Sequence, residues 1–294
     1  MSALLTRSGL ALLWLLHCLP LSFQAALGNG LGVVFYRVIA RRRKVALTNL
    51  RLCFPEMTED ERVALAKAHF QVLTRSLLER AMLWWASPRR LQRMIRVEGE
   101  DHLLRLEAEK RPVLILGPHF VGIEAGGLLL SVKRSMAVIY TRQSNPVIDR
   151  VLFKGRSRFH SPSVLVRQDP IRTVLKVLRT ARPFHYSPDM DYGSRDAVFV
   201  PFFGVPAATV SSLSRLAKIS GAAVLPCTTQ ILPGGQGYVV RIEPAWENYP
   251  SEDVEADTRR MNAWLEDRIR QMPEQYYWVH KRFKTRPEGA PSLY

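Results

Sequence analysis

From about residue 97 onward, short apolar runs alternate with stretches of helical spacing. No other feature limits the possible folds so strongly. Val113-Leu-Ile-Leu116 is a continuous apolar run closed by the turn pair Gly117-Pro118, and it reads as a buried strand. Met136–Tyr140, Ser163–Val166 and Phe184–Tyr186 read as further strands. Pro146–Phe159 reads as a helix, as does the set Ile171, Val174, Leu175 and Leu178. Val198–Val200 and Phe202-Phe203 surround Pro201 as a loop or edge strand. Val210–Ser220 reads as a helix stopped by Gly221. Ala222–Thr229 and Tyr238–Ile242 flank Pro233-Gly-Gly, a hairpin signal. Met261, Trp264, Leu265 and Met272 mark a last amphipathic helix. This succession predicts an α/β fold with a central mixed sheet flanked by helices.

The chain ahead of residue 97 reads as helical. Thr58 with Glu61 three residues on predicts a capping box opening a helix that runs to about Trp85. Its apolar face is read as Val63, Phe70, Leu73, Leu77 and Leu78. Residues 8–28 form a marginal apolar span, interrupted by His17, Pro20, Ser22 and Gln24. A cleaved signal peptide, an uncleaved anchor and a buried helix hairpin all fit such a segment. Arg37 and Arg41–Lys44 follow closely, and positive charge there keeps the downstream chain in the cytoplasm, which favours the anchor. The expected organisation is a membrane-anchor helix with a basic flank over residues 1–45, then one domain over 46–294.

Charge narrows the partners. The 294 residues carry 42 Lys and Arg against 26 Asp and Glu, a net +16, so the surface attracts polyanions: nucleic acid, anionic membrane or a phosphorylated substrate. Hydrophobic residues make up 47% of the chain, which excludes a disordered polymer. The three cysteines have no metal-site spacing and suit a reducing compartment.

Two constellations could carry chemistry. His119 sits at the turn after Val113–Leu116, and Glu124 opens the next helix. A neutral imidazole beside a carboxylate can take a proton near neutral pH; the same pair also fits a hydrogen-bonded structural histidine. Gly122, Gly126 and Gly127 would let a substrate or a helix come close. In the loop Ser187–Asp196, Asp189 and Asp191 fit a turn or a weak cation site, with no third ligand at a telling spacing. Arg142, Arg156, Arg158 and Arg167 together could line a site for an anionic substrate. The tail Tyr276–Arg286 interleaves aromatics and cations, as nucleic-acid and membrane-surface segments do.

Taken in order, these motifs resemble those of the lipid A biosynthesis late acyltransferases, the lauroyl and myristoyl transferases of the Gram-negative inner membrane. The resemblance covers nearly the whole chain. It runs through the apolar start with its basic flank and Gly117–Glu124 as an H-x4-E motif. It continues through Tyr140-Thr-Arg142, Asn145-Pro146, Gly155-Arg156, Pro188–Gly193, Val198–Phe203 and Pro273–Gly289. It implies a glycerolipid-acyltransferase-like fold, with His119 as general base and Glu124 as its orienting partner. Arg142, Arg156, Asp189, Asp191 and Gly122 are the expected substrate-binding positions, with no metal and no cofactor. The implied donor is acyl-carrier protein. The implied acceptor is a Kdo-bearing, phosphorylated lipid A precursor at the cytoplasmic face of the inner membrane, with no nucleic acid involved. A lysophospholipid or glycerol-phosphate acyltransferase, a basic nucleic-acid-binding protein and a noncatalytic membrane-surface protein are the competing expectations.

Overall fold

The computed structural model describes residues 3–160, 163–166 and 169–294. Arg167 lies outside them. Five helices lead: α1 (Ala3–Leu16), α2 (Leu21–Val38), α3 (Ala40–Cys53), α4 (Glu59–Trp85) and α5 (Pro88–Met94). The alternating part follows as β1 (Ile95–Glu98), α6 (Glu100–Ala108), β2 (Val113–Leu116), α7 (Ile123–Lys133) and β3 (Ala137–Tyr140). After these come α8 (Pro146–Arg156), β4 (Ser163–Val166), α9 (Ile171–Leu178) and β5 (Phe184–Tyr186). A hairpin, β6 (Ala197–Phe202) and β7 (Val205–Val210), precedes α10 (Ser212–Ser220), β8 (Ala223–Ile231), β9 (Tyr238–Ile242) and α11 (Val254–Gln271). The expected mixed α/β architecture is present.

The main sheet has seven strands in the order β1-β9-β8-β2-β5-β3-β4. From β8 to β4 all neighbours are parallel, and β9 turns back antiparallel on β8. All four residues of β2 are buried. Their side chains alternate between faces. Val113 and Ile115 enter one core with Leu128 and Leu129 of α7. Leu114 and Leu116 enter the other with Leu213 and Leu216 of α10. A strand buried on both faces needs an unbroken apolar run, which is why VLIL stands out in the sequence.

Thr58 accepts from the backbone N–H of Glu61, and Glu61 accepts from that of Thr58, so the capping box opens α4 as expected. The buried face of α4 differs from the expected one. Leu77 is exposed, while His69, Arg75 and Glu79 are buried. Each of these three side chains has a partner, His69 through Nδ1 on the Glu274 carbonyl at 2.9 Å. Arg75 bridges to Glu79, Tyr238 donates to Glu79, and Arg75 donates to the Leu232 carbonyl at 2.7 Å.

Residues 8–28 are not one helix. The chain breaks at 17–20 between α1 and α2, where Pro20 precedes the second helix. Helix α2 lies against α4 at Gly28 and Gly32, two of its three glycines. A Cβ at Gly28 would stand 2.5 Å from Arg75 Cα, and one at Gly32 2.4 Å from Gln71 Cα. Glycine alone permits so close a backbone approach. Among the described residues no single helix is long and apolar enough to cross a membrane; α2 with α3, bent by 93°, passes that test only as a pair.

Candidate active site

Strands β2 and β5 are parallel neighbours, with Leu116 paired to Tyr186. Their C-terminal loops therefore leave the sheet side by side, the usual place for a site in such a sheet. His119 follows β2 and Asp189 follows β5. The ring Nδ1–H of His119 donates to Asp189 Oδ1 at 2.8 Å, and its backbone N–H donates to Asp189 Oδ2 at 2.9 Å. The carboxylate contact assigns the ring proton to Nδ1 and leaves Nε2 as the basic nitrogen. Burial alone would push the Asp189 carboxyl up; the His119 charge and these two bonds outweigh it and hold it below its usual range.

Glu124 lies in the first turn of α7 and meets Arg156, the last residue of α8. The guanidinium donates from Nε to Oε1 at 3.0 Å and from NH2 to Oε2 at 2.6 Å. Trp84 Nε1 adds a 3.4 Å bond to Oε1. Burial would raise this carboxyl, but the Arg156 charge and hydrogen bonds, with the charge of Arg80 and the Trp84 bond, pull it down to about 2. Glu124 is thus a permanent anion tied to Arg156. The expected His119–Glu124 partnership is replaced: Asp189 holds the imidazole, because β5 brings its loop to His119 while α8 brings Arg156 to Glu124.

His119, Glu124, Arg156 and Arg80 all line one cavity of about 680 Å³. That volume falls within the roughly 300–1,000 Å³ of ligand sites. The rest of the lining is mixed: Ile139, Leu152, Val174, Phe184 and Leu216 are apolar, while Gln143, Asp169 and Asp196 are polar or charged. A carboxylate-held histidine on the wall of a cavity with several apolar lining residues is compatible with acyl transfer. A family model described as bacterial lipid A biosynthesis acyltransferase matches residues 2–285.

The chain belongs to the bacterial lipid A biosynthesis acyltransferases.

The lipid A biosynthesis lauroyltransferase of Escherichia coli K12 is 39% identical over 99% of this chain and 94% of its own length. The palmitoleoyltransferase of the same strain is 35% identical over the same shares. The myristoyltransferase is 29% identical over 94% of this chain and 85% of its own. A 1-acyl-sn-glycerophosphate acyltransferase from Thermotoga maritima covers 83% of this chain and 97% of its own at 16% identity and a TM-score of 0.40. That likeness is too slight to bear on the fold.

In this acyltransferase the remaining candidates take other places. Asp191 clamps the C-terminal segment, accepting from the Thr285 backbone N–H at 2.7 Å and the Thr285 hydroxyl at 2.8 Å. Arg142 is exposed and does not line the cavity. Gly122 packs on the sheet, its would-be Cβ 3.0 Å from the Thr229 carbonyl oxygen; Gly127 is the glycine that faces the cavity. Arg158 donates to the Leu83 and Ala86 carbonyls at 3.0 and 2.7 Å. Much of the tail 276–286 is packed inside: Trp278, Val279, Arg282 and Phe283 are buried, while Lys284 is exposed and Lys281 and Arg286 are half-buried. Arg80, Trp84 and His185 are site residues that no motif announced. Their only sequence signal is their type, since helix α4 and strand β5 reach the cavity through tertiary packing.

Burial pushes His69, His185 and His280 down to about 4. The unfolded chain binds these three protons from about pH 6.5 downward, the folded chain only near pH 4. Stability is therefore complete above about pH 6.5 and is lost as pH falls toward 4. Each site steepens the fall by up to about 1.4 kcal/mol per pH unit. Urea midpoints measured from pH 7.5 to 4.5 will drop across that window; equal midpoints at pH 7 and 5 would contradict neutral buried histidines.

Proposed function

We propose that this acyltransferase moves a lauroyl-type chain from acyl-carrier protein to a hydroxyl of a Kdo-bearing lipid A precursor at the cytoplasmic face of the inner membrane. The observation that carries this reading is the His119–Asp189 pair, with His119 on the wall of the cavity that also holds Glu124, Arg156 and apolar side chains. The likeness to a lauroyltransferase supports the chain class. His119 Nε2 takes the proton of the acceptor hydroxyl as its oxygen attacks the thioester carbonyl. The charges of Arg156 and Arg80 favour the oxyanion. When the carbon–sulfur bond breaks, the thiolate leaves and takes the proton back from His119. Glu124 holds Arg156 in place.

The net +16 suits both an acidic carrier protein and a phosphorylated acceptor. Residues 1–45 are proposed as the membrane anchor of a 46–294 acyltransferase domain. Leu5, Leu12, Trp14 and Leu15 of α1 and Phe23, Val34 and Val38 of α2 are exposed. With α2 fastened to α4, this apolar surface suits immersion in the interface, with Arg41 and Lys44 beside it at the lipid phosphates.

The purified full-length enzyme is to be incubated with a panel of acyl-carrier-protein thioesters and a Kdo-bearing lipid A precursor, and the product weighed. Addition of one twelve-carbon chain in preference to longer ones is expected. Acylation of a lysophospholipid with the lipid A precursor untouched would overturn the proposal.

A further inference from the structure

The site contains a third hydrogen-bonding group that the H-x4-E motif does not include. Tyr276, just beyond α11, points its hydroxyl at Asp189 and donates to Oδ2 at 3.2 Å. Its ring is fixed by Phe120, Phe202 and Trp278, with centroids 5.9, 6.1 and 5.0 Å away. The backbone fastens the same segment to the base-bearing loop. Val121 N–H donates to the Gln275 carbonyl at 2.8 Å, and Tyr277 N–H donates to the carbonyl of His119 itself at 3.1 Å. One short segment therefore holds the His119 loop by its backbone and the Asp189 carboxylate by a side chain.

We infer that Tyr276 is a positioning residue, whose hydroxyl orients Asp189 and shares its negative charge with His119. This role rests on His119 being the base. Burial and the charge of Asp189 push the Tyr276 phenol well above its ordinary range, so it remains a donor at any working pH. Asp189 then receives three N–H or O–H bonds, two from His119 and one from Tyr276. The tyrosine competes with the imidazolium for the carboxylate. Other charged or titratable groups around this chain of bonds are His185 on β5, Glu124 on α7, Arg156 on α8, and His280 and Arg282 beyond Tyr276. None of them changes in a Tyr276→Phe substitution, which also keeps the aromatic packing.

Removing the hydroxyl leaves more of the carboxylate charge to His119 and favours the imidazolium. In Tyr276→Phe the acid limb of the kcat/KM profile should move to higher pH. Turnover should fall about fivefold, the fold-change of one ordinary hydrogen bond, with KM unchanged. Asp189→Asn should move the limb the opposite way. A purely structural role for Tyr276 would loosen Asp189 and move the limb in the Asp189→Asn direction, or not at all.

The experiment combines that profile, on the full-length enzyme, with the ring-nitrogen NMR titration of His119, assigned through His119→Gln. An upward shift by both readouts in Tyr276→Phe supports the role. An unshifted or downward titration overturns it, whatever happens to turnover. If His119→Gln retains full turnover, the base assignment fails separately, and the NMR titration still decides whether Tyr276 acts on His119.

Discussion

His119→Ala is expected to abolish acyl transfer while the protein keeps its fold. A positioned base contributes about 10²–10⁴-fold, and the two neighbouring carboxylates are poor replacements: Asp189 is held below its usual range and Glu124 is tied to Arg156. Asp189→Asn is the more telling partner experiment. The asparagine keeps the shape, but the imidazole loses the carboxylate that fixes its tautomer and balances its charge. A loss of about 10²-fold or more is expected, with circular dichroism unchanged. Transfer is measured by product mass from acyl-carrier-protein thioester and lipid A precursor. Full turnover in either variant would remove His119 and Asp189 from the reaction.

Arg156→Ala has the largest expected effect on stability. The Glu124 side chain is only 8% exposed and meets Arg156 through both carboxylate oxygens. Deleting the arginine strands a buried carboxylate, with one long Trp84 bond and the more distant charge of Arg80 as remaining support. Breaking such a pair costs about 3–5 kcal/mol, and the charge of Arg80 places this case toward the lower value. Neutralising both partners removes the stranded charge, so Glu124→Gln with Arg156→Met should recover most of the loss while remaining inactive. Urea unfolding of the wild type, the single variant and the double variant measures the cycle. A single variant as stable as the wild type would mean that Glu124 is not held as an anion by Arg156.

These two experiments separate the two carboxylates, which the linear sequence does not do. His119 and Glu124 are five residues apart and look like a pair. Asp189 is 70 residues from His119 and looks like a turn residue. The pairing depends on strand order. Because β5 lies directly beside β2, Asp189 emerges next to His119. Because α8, which follows β3, ends beside the first turn of α7, Arg156 reaches Glu124. The aromatic and basic tail follows the same logic. Composition marks Tyr276–Arg286 as a surface for polyanions, yet Arg282 is buried with its guanidinium on the Ala208 carbonyl and the Thr209 hydroxyl. Alternating aromatics and cations describe a binding face only when the chain leaves them outside.

The features legible in the linear chain are local. The apolar run Val113–Leu116, the turn at Gly117-Pro118, the capping box at Thr58 and Glu61, and the β8–β9 hairpin all follow from periodicity and turn chemistry within a few residues. They suffice for an α/β layer with a histidine at a strand end. Three-dimensional packing sets which carboxylate holds that histidine, fastens α2 to α4, and brings the Tyr276 hydroxyl to Asp189 behind His119. Those outcomes depend on contacts between residues tens of positions apart. Their partners are chosen by sheet order and by how closely backbones can approach, and neither is written in any single stretch of the chain.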